Sequence, residues 1–229
     1  MAMGTGGSSS HGRGSGPPMR NAQFGRDPML PGYREFATQR EAIDYHTANN
    51  FSMDRWRNGL TGDERQGIRN YTDYWYSEIN TNLREGRTPD SHVQDMINGA
   101  TTGLGKFQAA EDVITFRGAN LHWTANLLGG TEAQMSDSAF LRSRIGKVVC
   151  DKGFMSSGTH QDSSWVADVT YKIYVNKGIK GMYVDPISAN RGEYEFLFNR
   201  DTSFRVHSIT TDSRGRITQM TLEAIRSKH

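Results

Sequence analysis

Between Tyr33 and about Asn50 the larger apolar positions Phe36, Ile43 and Tyr45 are spaced for a helix. His46 stands near its end, where it can meet the helix dipole or the solvent. A second helix is predicted from Thr61-Gly62-Asp63-Glu64, a capping-box spacing that satisfies otherwise orphaned N–H groups. Ile68, Tyr71, Trp75 and Ile79 then recur at helical spacing as a packing stripe, and Tyr71 and Tyr74 could also border a ligand cleft. Turn residues from Glu85 to Asp90 make a loop, and a third helix runs from Ser91 to about Thr102, closed by Gly103 and Gly105. Beyond it the apolar period falls from near 3.6 toward 2. Strands are predicted at 112–117, 147–150, 153–156, 168–175, 181–185, 193–199, 203–209 and 216–223, with a helix at 121–128 and a helical turn near 163–167. Helices first and strands later make an α+β chain, and no regular βαβ alternation argues for a Rossmann sheet. Residues 1–18 are Gly/Ser-rich without periodicity, which reads as a disordered tail and leaves a single domain over 19–229.

The alternation is sharpest in Glu193-Tyr194-Glu195-Phe196-Leu197-Phe198. As a strand it places both carboxylates on one face and sends Tyr194, Phe196 and Phe198 into a core. Two adjacent acids form a coupled pair, able to keep one carboxylate charged and lend the other to proton transfer. A half-buried strand with a solvated acidic face has the same pattern, so the hexamer acquires meaning only from its company.

Composition narrows the classes. In 229 residues, 27 basic and 25 acidic side chains leave a formal charge of +2, too even for a protein that lives on nucleic acid or anionic lipid. Cys150 is the only cysteine, so no intrachain disulfide is possible and no structural zinc site is suggested; after a Val-Val pair it reads as a buried small hydrophobe. No apolar run approaches the ~20 residues that span a bilayer, and no signal peptide is visible, which points to work in a reducing, aqueous compartment. His92, His160 and His207 lack metal-ligand spacing, His11 lies in the tail, and Arg226-Ser227-Lys228-His229 is too short for a nucleic-acid arm. Gly-rich stretches occur only in the tail and are not phosphate loops.

Upstream of the hexamer, Val113-Ile114-Thr115-Phe116-Arg117-Gly118 ends a β-rich run in an arginine and a glycine, and Gly153-Phe154-Met155-Ser156-Ser157-Gly158 puts a serine in a turn. Arg117, Ser156 and Glu195 follow at equal intervals of 39 residues. This order resembles the arginine-serine-glutamate triad of the bacterial-toxin-like mono-ADP-ribosyltransferases, whose arginine-modifying branch usually carries the double glutamate. Leu60 to Arg84 is similar to the helical segment before the catalytic core in the actin-modifying toxins, and the likeness covers about residues 34 to 226. One departure is local: the family's Ser-Thr-Ser reads Ser156-Ser157-Gly158.

The resemblance implies N-terminal helices packed on two facing, mostly antiparallel sheets that form a cleft for NAD, consumed as a co-substrate without a metal. Glu195 would be the catalytic carboxylate, stabilising positive charge on the nicotinamide ribose, and Ser156 would hold its rotamer. Arg117 would take the pyrophosphate or ribose with its planar fork, Gly118 would offer its backbone to nicotinamide, and Phe154 would be a further contact. Glu193 would dock an acceptor arginine and take its proton. The turn from Asp185 to Gly192 would read the acceptor. Gly158 to Val166 would cover phosphate and nicotinamide, with Trp165 either stacking there or simply packing. His122 and Trp123 could touch adenosine or belong to a helix facing the core. The implied partner is a host protein, actin first or a small GTPase, met by a monomeric toxin secreted from a bacterium and acting in the target-cell cytosol. An NAD glycohydrolase and a non-catalytic binding module with the same fold are the rival readings.

Overall fold

A computed structural model describes residues 21–28, 30–50 and 58–226. The tail 1–18 with His11, and residues 227–229 of the basic end, lie outside the described residues. The fold is α+β, as the run of helices before strands implied.

Helix α1 spans Gln39–Asn50, later than the apolar spacing suggested. The reason is tertiary: Arg34 N–H donates to the Asp112 carbonyl at 2.9 Å and its own carbonyl accepts from Ile114, so the chain before α1 is held extended against a strand. His46 is also corrected. It is 1 % exposed, stacked on Tyr183 among Phe36, Tyr45 and Phe196, and burial pushes its pKa down to about 3.

Helix α2, Gly62–Asn70, starts from the expected capping box, with both reciprocal Thr61–Glu64 bonds formed. It continues through a π-helical turn, Tyr71–Trp75, into α3, Tyr76–Glu85, which Gly86 ends in a left-handed cap. Helix α4 covers Ser91–Gly105, running on through Gly103. The glycines of this pair of helices serve packing rather than termination: a Cβ at Gly67 would lie 2.6 Å from the Ala100 nitrogen, and one at Gly99 2.5 Å from the Asp63 carbonyl oxygen. Only bare backbones allow that approach.

The strands are β1 Gln23–Gly25, β2 Val113–Ala119, β3 Val148–Asp151, β4 Met155–Gly158, β5 Val169–Val175, β6 Gly181–Tyr183, β7 Glu195–Phe198, β8 Thr202–Thr211 and β9 Ile217–Ile225. Helix α5, Leu121–Leu128, follows β2 as predicted; α6, Ser138–Arg144, was not anticipated. The strands form one continuous mixed sheet, ordered β1-β8-β9-β5-β2-β4-β7-β6 with β3 also on β8 and only β5–β9 parallel. The two expected sheets are wings of this one, joined where β2 meets β4 at the single pair Phe116–Gly158. The wings share a core in which Phe196 and Phe198 of the smaller meet Phe204 and Leu222 of the larger, with Phe198 and Phe204 centroids 5.6 Å apart. The other face of the small wing carries Leu197 and Met182 onto Ile68, Ile79, Ile97 and Leu104 of the helices.

Cys150 is exposed, against its expected burial. Val149 turns to the core, so the pleat sends its neighbours Val148 and Cys150 to the opposite, exposed face of β3. Among the described residues no helix is long and apolar enough to cross a membrane, and no three His, Cys, Asp or Glu side chains converge for a metal.

Candidate active site

Strand order assembles the site. β4 lies between β2 and β7, so Arg117, Ser156 and Glu195 come from three neighbouring strands. Arg117 Nη1 donates to the Ser156 carbonyl at 2.5 Å. Ser156 faces Leu197 across β4–β7, which sets its hydroxyl diagonal to Glu195 on the same face of the sheet, where it favours the charged form of that carboxylate. Glu195 is 5 % exposed. Burial raises its pKa to about 7 against the relief given by Ser156 and Arg117, while Glu193 and Asp185 add to the rise. Glu193 is half-buried and lifted above the ordinary carboxylate range by burial and by Asp185.

The simple alternation does not hold at the hexamer's start. β7 begins at Glu195, and Tyr194 is left-handed with φ of +51°. Its carbonyl accepts from the Thr159 N–H at 3.1 Å and the Thr159 hydroxyl at 3.0 Å, and its ring packs with the helical cluster rather than with Phe196 and Phe198. All four β7 residues are buried because helices cover one face and the central core the other. Glu193 and Glu195 therefore meet through a reversed residue, not through the pleat of a strand.

Phe154, expected to touch the cofactor, has its side chain fully buried among the helices with its ring against Tyr71. Its backbone is what matters to the site. The Phe154 N–H donates to Asn80 Oδ1 at 2.9 Å, and its carbonyl accepts from the Tyr71 hydroxyl and from Arg84 Nη2, both at 3.2 Å. Arg84 is also paired bidentately with Asp151 at 2.8 and 2.7 Å, both side chains nearly buried. These bonds fix the corner that launches β4 and Ser156. Sequence reading missed Asn80, Arg84 and Asp151; the signal was a polar pair four residues apart beside the apolar stripe of α3.

Gly118 does make a close backbone approach, but to the protein itself: a Cβ there would lie 1.9 Å from the Trp165 carbonyl oxygen. Trp165 is 72 % exposed, which removes simple packing as its role. His122 is exposed beside Glu132, and Trp123 lies over the Arg84 guanidinium at 4.9 Å instead of in the core. A cavity of about 230 Å³ opens there, lined by Arg84, Arg117, Trp123, Asn126 and Lys152. Across Arg117, against Ser156, Glu193 and Glu195, only about 30 Å³ is left under Ser163 to Trp165. The two cavities lie on either side of Arg117, which lines both.

Comparison with known proteins gives the family and the fold. The model of the family described as ADP-ribosyltransferase exoenzyme matches residues 48–229. The chain belongs to that family. Among its relatives, the mono(ADP-ribosyl)transferase SpvB of Salmonella typhimurium is 27% identical over 176 residues, 76% of this chain and 28% of SpvB. The NAD(+)–arginine ADP-ribosyltransferase EFV of Enterococcus faecalis is 24% identical over 159 residues, 68% of this chain and 31% of EFV. This exoenzyme-family chain thus spans less than a third of either. The structure of C3stau2 from S. aureus with NAD shares the fold with a TM-score of 0.70 at 19% identity, over 86% of this chain and all of that one.

Proposed function

We propose that the chain is a toxin or effector mono-ADP-ribosyltransferase that moves ADP-ribose from NAD to an arginine of a host protein and releases nicotinamide. The observation that carries the reading is the meeting of Arg117, Ser156 and Glu195 on adjacent strands with Glu193 beside them. NAD supplies an N-glycosidic bond to a nicotinamide that is already cationic, so the leaving group needs no proton. Arg117 offers its fork to the phosphates or ribose while its Nη1 keeps β4 in place. Glu195, turned by Ser156, hydrogen-bonds a ribose hydroxyl and stabilises the positive charge that grows as the bond to nicotinamide breaks. Its raised pKa suits a buried carboxylate awaiting a cation, which returns it to the charged form.

Glu193 receives the proton lost by the acceptor guanidinium as its nitrogen bonds the ribose carbon. Its partly exposed position outside β7 favours that role over one on NAD. The double glutamate, and the name of the relative EFV, support arginine as the acceptor residue. The likeness of Leu60 to Arg84 to actin-modifying toxins makes actin the first acceptor to try, with a small GTPase next. The setting is secretion from a bacterium and action in the target-cell cytosol.

Labelled NAD incubated with a host-cell lysate tests the reading. Label on a protein band, removable by neutral hydroxylamine, is expected. Glu193→Gln should abolish that label while nicotinamide is still released to water. Free ADP-ribose alone would make the chain a glycohydrolase, and no turnover would make it a binding module. Protein labelling by the variant at the wild-type rate would remove Glu193 from the mechanism.

A further inference from the structure

The connection between β6 and β7 is tied at two places. At its tip, the Ala189 N–H donates to the Thr72 hydroxyl at 3.0 Å and Asn190 Nδ2 to the Thr72 carbonyl at 2.8 Å, which hangs the loop on the π-helical turn. At its base, one oxygen of Asp185 accepts from two N–H groups that are distant in sequence, Gly192 at 2.8 Å and Tyr194 at 3.0 Å. Those two residues flank Glu193, and both have positive φ, +94° at Gly192 and +51° at Tyr194. A tyrosine rarely holds that conformation unless its surroundings impose it. Here the imposing contacts are the Asp185 carboxylate on its N–H and Thr159 on its carbonyl.

We propose that Asp185 is a positioning residue for Glu193, latching the 185–194 loop so that the Gly192–Tyr194 reversal sets the Glu193 carboxylate over Glu195. The proposal rests on the reading of Glu193 as the group that meets the acceptor. Asp185 acts through the backbone, by the N–H groups of Gly192 and Tyr194. Its negative charge cannot be the reason for its place, because it works against both glutamates. The two N–H bonds give the acid a positive purpose: an acceptor reaches the ribose only if the proton-accepting carboxylate stands within bonding distance, and NAD cleavage to water needs no such alignment.

Two substitutions in the full chain separate the bonds from the charge. Asp185→Asn keeps an oxygen that accepts both N–H groups; Asp185→Ala keeps none. Transfer from NAD to agmatine, a soluble guanidinium acceptor, is measured beside nicotinamide release in its absence. The alanine variant should transfer about 10²-fold more slowly, in keeping with the cost of a misplaced group, with release to water at the wild-type rate, and the asparagine variant should restore transfer. Transfer by Asp185→Ala at the wild-type rate, equal loss in both variants, or loss of transfer and hydrolysis together would each overturn the proposal. Amide hydrogen exchange reads the latch without any chemistry: the Gly192 and Tyr194 amides should be protected in the wild type and in Asp185→Asn and exchange fast in Asp185→Ala. If the wild type transfers neither to agmatine nor to an arginine of a lysate protein, the acceptor reading of Glu193 has failed, and exchange still decides the latch; equal exchange in all three proteins refutes it.

Discussion

Replacing Glu195 with glutamine should make the protein more stable and nearly inactive at once. The folded state holds the Glu195 proton up to about pH 7, whereas the unfolded chain releases it near 4.5. Between those values the native state binds the extra proton, so stability falls as pH rises through the window and the penalty is complete above it. At about 1.36 kcal/mol per pH unit the buried charge costs about 3 kcal/mol at pH 8. Glutamine has the same shape, can still accept from Ser156, and never ionises, so it should recover most of that sum. For a domain of this size the gain amounts to a Tm higher by roughly 6–12 °C at pH 8, shrinking toward zero by pH 4.5. Calorimetric melting of both proteins across pH 4.5 to 8 measures it. Activity should fall by about 10²–10³ in the same variant, the usual loss for one electrostatic contact to the transition state. Equal melting temperatures at pH 8, or a gain that persists unchanged at pH 4.5, would show that Glu195 is not buried as a reluctant anion.

Arg117→Lys conserves charge but loses the fork and its bond to Ser156, and NAD titration should show affinity about ten- to a hundredfold weaker; equal affinity would make Arg117 purely structural. Asp151→Asn leaves the Arg84 cation nearly buried without its counter-charge, so denaturant unfolding should show a loss of about 3–5 kcal/mol, and a loss under about 1 kcal/mol would mean the pair is solvated. Gly118→Ala drives a methyl into the Trp165 carbonyl, and amide exchange across 163–167 should quicken; unchanged exchange would show that the two segments are not in contact.

Local chemistry made much of this protein legible without coordinates. The capping box at Thr61, the stripe Ile68, Tyr71 and Ile79, the helix at 121–128 and most strands follow from spacing and turn residues, which act within a few positions of themselves. The order Arg117, Ser156, Glu195 was also visible in the chain. What spacing could not supply was the strand order β2-β4-β7 that makes neighbours of residues 39 apart, because pairing depends on which surfaces are left to bury. His46 went into the core and Cys150 out of it for the same reason: burial is decided by what packs against each face of an element, and in β3 the core takes Val149 and leaves the face of Cys150 exposed. The reversal at Tyr194 needed Asp185 and Thr159 to hold it, two residues whose local sequence shows no sign of that duty. The types of chemistry were thus written along the chain, while the distances that let the two glutamates act together came from contacts between segments that only the folded protein brings within reach.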